Sequence, residues 1–242
     1  MDFSEFSALF DSILAQNGFS AYVTEENTAK FHQLTARMLE VNEYMNLTAI
    51  KEPRAVILRH YADSLTVAPL LPQNARVCDV GCGAGFPSLP LAIVRPDLKI
   101  LSLDSTAKRI RYVQETAEML GCQSLTAIAA RAEEAGKGAH REKYDICTAR
   151  AVAALPVLAE LCLPLVRTGG KFLAMKARKG EEEWESAARA VSRLGGKLIA
   201  RHTVTLSDGD EQDERIIFEI EKIKPTPAEF PRAYAKITKN PL

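Results

Sequence analysis

The sequence lacks the features that stabilise small secreted domains or anchor a chain in a membrane. Its five cysteines form no Cys-x-x-Cys pair, which argues against a disulfide framework and a zinc site. No apolar run approaches the roughly 18 residues of a membrane span, and the N-terminal segment carries Asp2 and Glu5 instead of the basic start of a signal peptide. The cysteines are Cys78, Cys82, Cys122, Cys147 and Cys162. We therefore expect reduced cysteines, no bound metal, no membrane association and a cytoplasmic location.

The chain also lacks an excess of charge of either sign. It has 31 Lys and Arg residues and 31 Asp and Glu residues, so its formal net charge is zero. A nucleic acid would have to be bound by a local basic patch, because the protein as a whole has no attractive field. With 13 glycines, 12 prolines and 47% hydrophobic residues, the composition excludes collagen-like and wholly disordered chains. The 242 residues suit one large domain or a core domain with a short extension.

The first 72 residues are predicted to form an N-terminal helical extension, because their apolar residues recur at helical spacing. The apolar stripes are Phe3, Phe6, Phe10 and Ile13, then Phe31, Leu34, Met38, Val41 and Met45. A third helix is predicted to begin at Pro53, since proline suits the first helical turn. These stripes indicate core packing.

Between residues 73 and 224 short β-rich runs alternate with helical runs, which is typical of a parallel sheet built from βα units. The predicted strands span residues 76–80, 99–104, 126–129, 144–148 and 170–175, and the predicted helices 87–94, 106–120, 154–166 and 181–194. A terminal antiparallel hairpin is predicted from residues 197–206 and 215–224, around a polar turn at 207–211. The predicted fold is α/β and Rossmann-like, with a mostly parallel seven-stranded sheet. Residues 225–242, rich in Pro and Lys, are predicted to be a basic loop.

The most informative segment is the glycine-rich loop after the first strand. Gly81, Gly83 and Gly85 alternate between that strand and a helix that starts near Pro87. Glycine lets a backbone turn tightly and approach a ligand without a Cβ in the way. Asp104 ends the second strand, at the spacing of roughly 20 residues at which a carboxylate meets the hydroxyls of a ribose. The pairing predicts a site for a nucleoside cofactor.

The residues around the loop favour S-adenosylmethionine over a dinucleotide. The dinucleotide fingerprint needs a third glycine where this chain has Phe86. Asp79, just before the loop, would repel a pyrophosphate but could orient an ammonium group. S-adenosylmethionine has a free amine, a cationic sulfonium and no phosphate. A nicotinamide-dependent oxidoreductase remains a disfavoured alternative.

A series of short motifs in a fixed order extends through most of the chain. They are Asn46-Leu47-Thr48, Arg59-His60, Asp63-Ser64, residues 79–90, Leu103-Asp104-Ser105, Lys108-Arg109, residues 131–134, residues 149–153, Phe230-Pro231-Arg232 and Pro241-Leu242. With them the chain resembles the bacterial glucose-inhibited division protein B family, which methylates guanine N7 in 16S ribosomal RNA. It departs from the family's usual pattern at Ser88 and Ala177, where glycine is usual, and in having no glycine after Arg232.

The resemblance implies a class I methyltransferase domain, S-adenosylmethionine as cofactor, and 16S rRNA or the small ribosomal subunit as partner of a monomeric enzyme. It also implies the cofactor-binding residues Gly81, Gly83, Gly85, Phe86, Asp104, Ala132, Glu133 and Arg150. Phe86 would border the methionine side, Asp104 the ribose and Ala132 with Glu133 the adenine. The alternatives are a core position for Phe86, a solvated helix start for Glu133 and a surface salt-bridge partner for Arg150.

The candidate RNA-binding residues are Arg59, His60, Lys108, Arg109, Arg131 and Lys176. Lys108, Arg109 and Arg111 crowd the first turns of a predicted helix, where cations oppose the helix dipole by about 0.3 to 1 kcal/mol each. Phosphate binding would explain this placement, and a salt bridge from Arg111 to Glu115 is the alternative. His60 and Ser64, four residues apart, are interpreted as a structural or RNA-binding pair because no third catalytic member accompanies them.

The residue types that are missing near the strand ends argue against some classes of methyl transfer. No cysteine is placed to act as a nucleophile on a pyrimidine ring, and no Asn/Asp-Pro-Pro-aromatic turn follows the fourth strand, where the chain reads Thr148-Ala149-Arg150-Ala151. A ring nitrogen such as guanine N7 attacks the methyl group directly, so no catalytic base is expected. A methyltransferase of a small molecule or a protein, and an RNA-binding ribosome-assembly factor with a vestigial pocket, remain as alternatives.

Overall fold

The computed structural model describes residues 1–209 and 211–242 and contains a seven-stranded sheet. Its strands are β1 Arg76–Val80, β2 Lys99–Asp104, β3 Leu125–Ala129, β4 Tyr144–Arg150, β5 Val166–Ala177, β6 Gly196–Asp208 and β7 Glu211–Lys222. Their spatial order is β3-β2-β1-β4-β5-β7-β6. The first five pair in parallel, while β7 is antiparallel to both β5 and β6. The predicted fold class, with a parallel sheet that ends in an antiparallel hairpin, is confirmed. The predicted hairpin turn includes Asp210, which lies outside the described residues.

The N-terminal helices form where the apolar stripes predict them, and polar caps mark their starts. The α1 helix, Phe3–Gln16, begins with a capping box in which the side chains of Asp2 and Glu5 each accept a hydrogen bond from the other's backbone amide. The Thr24 hydroxyl caps α2, Glu25–Met45, by accepting from the Asn27 amide. The third predicted helix consists of α3, Pro53–Val56, a π-helical segment, Ile57–Ala62, and α4, Asp63–Leu65. Such π-helical insertions occur often at functional sites.

The remaining helices connect the strands. They are α5 Ser88–Val94, α6 Ala107–Met119, α7 Ala132–Ala135, α8 Leu155–Cys162, α9 Trp184–Arg193 and α10 Tyr234–Lys239. The helix predicted at 154–166 is α-helical to Cys162 and continues as a 3₁₀ helix, Leu163–Leu165. The strand predicted to start at residue 170 begins at Val166, where it pairs with Tyr144. No helix in the described part of the chain is both long and apolar enough to span a bilayer.

The sheet separates two hydrophobic clusters. On one face Phe10, Phe31 and Tyr61 from the N-terminal helices pack with Val77 and Ile100 from the sheet. The cluster of the other face contains residues of α8, α9 and the hairpin. The N-terminal 72 residues therefore share a core with the sheet. The division of the chain at residues 72 and 224 stays a prediction.

The prediction of a loop for the whole segment 225–242 is wrong. The segment contains α10, and its Phe230 and Ile237 side chains are buried in the core. The Arg232 guanidinium contacts both carboxylate oxygens of the fully buried Glu160, with an Nη2 to Oε2 distance of 2.6 Å. The Arg141 guanidinium donates to the carbonyl oxygens of Thr226 and Phe230. The buried Phe230 and Ile237 side chains thus hold the segment against the domain. Nothing in the basic composition of the segment marks these two residues.

Lys222 is a basic residue close to this segment, but it lies at the end of β7 and is fully buried. Its ammonium pairs with Glu142 at 3.1 Å and donates to the carbonyl oxygens of Leu163 and Val166. Burial lowers the pKa of Lys222. These contacts join the end of β7 to the segment that leads into β5, so Lys222 is not available to a nucleic acid.

Candidate active site

Two adjoining cavities open at the carboxyl ends of the parallel strands, between the elements that follow β1, β2, β3 and β4. This edge is where ligands bind in open α/β sheets. The larger cavity measures about 600 Å³ and the smaller about 340 Å³. Gly81, Arg109 and Ala151 line both of them. One elongated ligand that passes Gly81 could therefore occupy both cavities.

The smaller cavity is organised around the Asp104 carboxylate at the end of β2. Its Oδ2 accepts a hydrogen bond from the Gly83 amide at 3.1 Å, and its Oδ1 accepts one from the Thr106 amide at 2.8 Å. Each oxygen keeps a second lone pair. The rest of the lining includes Ala132 and Glu133 at the start of α7. The carboxylate is thus held in place for a ligand that offers two neighbouring hydroxyl groups.

The glycines of the loop serve different purposes. Gly81 has a φ of +70°, its amide donates to the Leu103 carbonyl at 2.7 Å, and a Cβ there would lie 2.5 Å from a methyl carbon of Val152. Gly85 has a φ of +86° and lines neither cavity, and a Cβ there would lie 2.4 Å from Leu89. Gly81 therefore borders the ligand space, whereas Gly85 permits close packing of α5.

An aromatic and cationic wall forms one side of the larger cavity. The rings of Phe86 and His60 are stacked, with centroids 4.6 Å apart and planes 8° from parallel. The Arg150 guanidinium lies over the Phe86 ring at 5.4 Å. It also pairs with Asp63 at 2.9 Å, and Arg215 pairs with the other oxygen of Asp63 at 3.0 Å. The core position raised as the alternative for Phe86 occurs, because Phe86 belongs to the core cluster, but it also lines the cavity. The pair of Arg150 with Asp63 is largely buried, so it is not the surface salt bridge raised for Arg150, which lines the cavity as well.

His60 is held as a neutral side chain. Burial and the positive charge of Arg150 lower the pKa of His60 to about 3. Its Nε2 lies 2.9 Å from the Thr48 hydroxyl, and its Nδ1 has no hydrogen-bond partner among the described residues. The Ser64 hydroxyl donates to the backbone carbonyl of His60 and not to the imidazole. The interpretation of His60 and Ser64 as a non-catalytic pair agrees with this geometry.

Asp79 lies under the loop and does not reach the ligand space. It is 1% exposed, lines neither cavity, and accepts hydrogen bonds from the hydroxyls of Ser88 at 2.7 Å and Thr148 at 3.0 Å. Burial raises the pKa of Asp79 to about 6, although these hydrogen bonds and the charge of Arg150 act in the opposite direction. The suggestion that Asp79 orients an ammonium group is therefore not supported by its position. Ser88 stands out in the sequence only as a departure from the family pattern.

The candidate RNA-binding residues are distributed unevenly around the two cavities. Arg59, Arg109 and Lys176 line the larger cavity, and Arg109 and Arg131 the smaller one. Lys108 lines neither. The Lys176 ammonium is engaged by Glu183 at 2.9 Å and by the Ala153 carbonyl at 3.0 Å.

The salt bridge offered as the alternative for Arg111 does not form, because Glu115 pairs with Arg37 at 3.3 Å. Within residues 1–209 and 211–242, Lys108 and Arg109 have no salt-bridge partner. These two cations are therefore available to an anionic partner.

Most of the predicted site residues meet at the cavities, and four further charged or aromatic residues of the described chain join them. Asp63, Glu183 and Arg215 line the larger cavity and Tyr234 the smaller. Asp63 belongs to the Asp63-Ser64 motif, but no pattern in the sequence marks Glu183, Arg215 or Tyr234. They come from the segment before α9, from the hairpin and from the tail, so only the tertiary structure places them at the site.

The unusual pKa of Asp79 predicts a pH-dependent stability. The pKa is about 6 in the folded protein against an ordinary 3.8, so the stabilisation from the protonated carboxyl is complete below about pH 4 and is lost as the pH rises through about 6. Between these limits the wild type should lose up to about 3 kcal/mol of unfolding free energy relative to Asp79→Asn. Urea denaturation at a series of pH values measures this difference.

Asp11→Asn, a change at an exposed aspartate of α1, is the matched control and should follow the wild-type pH dependence. If the wild type and Asp79→Asn changed in parallel with pH, the buried carboxyl would not be the titrating group.

Comparison with known proteins assigns the chain to a family. Residues 27–212 match the GidB family, described as rRNA small subunit methyltransferase G. The chain is 44% identical over 239 residues to ribosomal RNA small subunit methyltransferase G of Ligilactobacillus salivarius, covering 96% of this chain and 98% of that one. It is 45% identical over 222 residues to the protein of the same name from Staphylococcus aureus, covering 91% and 92%.

Solved structures with little sequence identity share the fold. TYW2 of M. jannaschii, solved in complex with AdoMet, superposes with a TM-score of 0.54 at 16% identity over 66% of this chain and 75% of its own. The [4+2]-cyclase SpnF superposes with a TM-score of 0.54 at 14% identity over 84% and 98%. These likenesses show the Rossmann-like fold alone. The extended match in sequence shows more: this chain belongs to the rRNA small subunit methyltransferase G family.

Proposed function

We propose that this protein transfers a methyl group from S-adenosylmethionine to N7 of a guanine in 16S rRNA, within the free RNA or the small ribosomal subunit, as a monomer in the cytoplasm. The observation that carries the proposal is the Asp104 carboxylate, oriented by the Gly83 and Thr106 amides beside a cavity that continues past Gly81 into a second one. Asp104 would hold the ribose of a nucleoside cofactor, and the larger cavity would leave room for the rest of that cofactor. Family membership supports the same function.

The residues present fit the cofactor. The two free lone pairs of Asp104 suit the ribose hydroxyls, and Ala132 and Glu133 border the space left for the base. Phe86 and Gly81 line the passage to the larger cavity. When bound, S-adenosylmethionine supplies an electrophilic methyl group on a sulfonium. The protein's own task is to hold the acceptor in line with that methyl, a contribution that can reach several kcal/mol.

The larger cavity suits a purine nucleotide as acceptor. Its stacked Phe86 and His60 rings and the Arg150 guanidinium form a flat wall of the kind on which nucleobases are recognised. Arg59 and Arg109 at the same cavity supply positive charge for the RNA backbone.

The titrating groups support an acceptor that needs no base. The pKa of His60 is about 3, so its imidazole is a poor proton acceptor near neutral pH. Asp79, whose pKa is about 6, lines neither cavity. Guanine N7 has its lone pair in the plane of the ring and loses no proton on methylation, whereas an exocyclic amine must lose one.

The first prediction concerns the cofactor. Asp104→Ala should weaken S-adenosylmethionine binding by about 1 to 3 kcal/mol, the usual loss for hydrogen bonds to a charged group. Isothermal titration calorimetry with the full-length protein measures the change. Glu134→Ala, at an exposed acid next to Glu133, is the control and should bind normally. Equal affinities for Asp104→Ala and the wild type would remove Asp104 from the cofactor site.

Gly81→Val is a less specific test of the same site. The positive φ and the contact with Val152 mean that a side chain at Gly81 changes the loop even without a ligand. Loss of binding in Gly81→Val therefore supports the loop assignment only together with the result for Asp104.

The second prediction concerns RNA. Replacing both Lys108 and Arg109 by Ala should reduce the slope of log affinity against log salt by up to about 1.8, because each phosphate contact contributes about 0.9. Filter binding of 16S rRNA at several salt concentrations measures the slope.

The matched control is the double variant Lys99→Ala and Lys143→Ala. Both lysines are exposed and lie at the start of β2 and just before β4, at the opposite edge of the sheet. This control should keep the wild-type slope. If both double variants reduced it equally, RNA binding would follow total charge and not the candidate patch.

The third prediction concerns the acceptor. With tritiated S-adenosylmethionine the purified protein should label 16S rRNA or small subunits, and mass analysis should identify the product as 7-methylguanosine. Labelling only of proteins or small metabolites would contradict the proposed substrate.

Because N7 needs no base, the single-turnover rate at saturating substrates should be nearly constant between about pH 6.5 and pH 8.5. His60→Gln should keep this profile constant, whatever its effect on RNA affinity. A wild-type rate that falls towards acid pH, with the fall abolished in His60→Gln, would identify His60 as a base and favour an amine or hydroxyl acceptor.

A further inference from the structure

The C-terminal helix α10 brings an aromatic side chain to the smaller cavity. Tyr234, the first residue of α10, lines this cavity together with Ala132, Glu133 and Leu161. The residue is 40% exposed. The ring therefore stands at the mouth of the cavity with one part packed and one part open.

Tyr234 is held there by anchors on both sides along the chain. Two residues before it, the Arg232 guanidinium pairs with the fully buried Glu160 of α8. Three residues after it, Ile237 is fully buried and packs into the core cluster that includes residues of α8. Because α8 also supplies Leu161 to the cavity, the same helix lines the cavity and holds the C-terminal segment.

The surroundings of the ring suit a neutral, flat group. The Arg131 guanidinium lies over the Tyr234 ring, 5.9 Å from its centroid, and occupies one of the two ring faces. Beyond Asp104, the cavity wall is mixed: Thr106, Arg109 and Glu133 are polar, whereas Val80, Leu103 and Leu161 are apolar. A purine base fits such a space, because it offers apolar faces for stacking and its polar edge can reach the Glu133 region.

We propose that Tyr234 is a cofactor-binding residue whose ring packs on the adenine of S-adenosylmethionine, and that α10 forms the outer wall of the adenine end of the site. This inference rests on the proposed function. Asp104 fixes the ribose, so the base of the same nucleoside extends towards Ala132 and Tyr234. The C-terminal segment is then part of the binding site.

Calorimetric titration of the full-length protein tests the proposal with three ligands that share the adenine: S-adenosylmethionine, S-adenosylhomocysteine and 5′-methylthioadenosine. Tyr234→Ala should weaken all three by about 5- to 30-fold, the lower part of the range for one base stacked on one aromatic side chain. Tyr234→Phe keeps the ring and should stay within about twofold of the wild type. Thermal melting without ligand checks that each variant is folded.

The matched control is Thr238→Ala on the same helix, because the exposed Thr238 hydroxyl donates to the backbone carbonyls of Tyr234 and Ala235, so this change alters α10 beside Tyr234 and keeps the ring. It should bind all three ligands normally. Unchanged affinity in Tyr234→Ala, or equal losses in Tyr234→Ala and Thr238→Ala, would overturn the role of Tyr234 while the proposed function stands. If the wild type bound none of the three ligands, both the proposed function and this inference would be overturned.

Discussion

The buried Asp79 carboxylate joins the three elements that support the glycine loop. Asp79 on β1 accepts hydrogen bonds from Ser88 on α5 and Thr148 on β4, so one group joins the strand before the glycine loop, the helix after it and the neighbouring strand. The crevice between β1 and β4, where the strand order reverses, lies directly above. Two hydroxyl donors partly offset the cost of burying a charge, and the remaining cost appears as the raised pKa of Asp79. The position of the loop, and with it of Gly81 and Phe86, depends on this junction.

A second carboxylate makes the N-terminal extension part of the site. Asp63 of α4 pairs with Arg150 at the end of β4 and with Arg215 of β7, which are far apart in sequence. Removing one partner from such a buried cluster costs more than the same change at a surface pair, because it leaves an uncompensated charge. The π-helical segment just before Asp63 places His60 against Phe86. The segments before the sheet therefore build one side of the larger cavity.

The charge distribution explains how a protein of zero net charge can bind RNA. Many basic residues are neutralised within the fold, among them Arg150, Lys176, Lys222 and Arg232. Lys108 and Arg109, at the start of α6 beside the cavities, have no such partner in the described part of the chain. They oppose the helix dipole and so weaken the helix slightly. Their positive charge stays unneutralised near the two cavities. Local pairing, more than the total count of charges, decides where an anion can bind.

The sequence alone determined most of the succession of elements and predicts a site for a nucleoside cofactor. Apolar periodicity located the helices and strands, and the strand, glycine loop and Asp104 follow from spacing within one βα unit, which is a local property of the chain. The ion cluster at Asp63, the hydrogen bond from Ser88 to Asp79 and the placement of Tyr234 were decided by the tertiary structure. Each joins segments distant in sequence, and their residue types are common on any polar surface. The basic tail shows the reason most clearly: its composition predicts a solvated loop, but the burial of Phe230 and Ile237 and the pairing of Arg232 with Glu160 stabilise it against the domain.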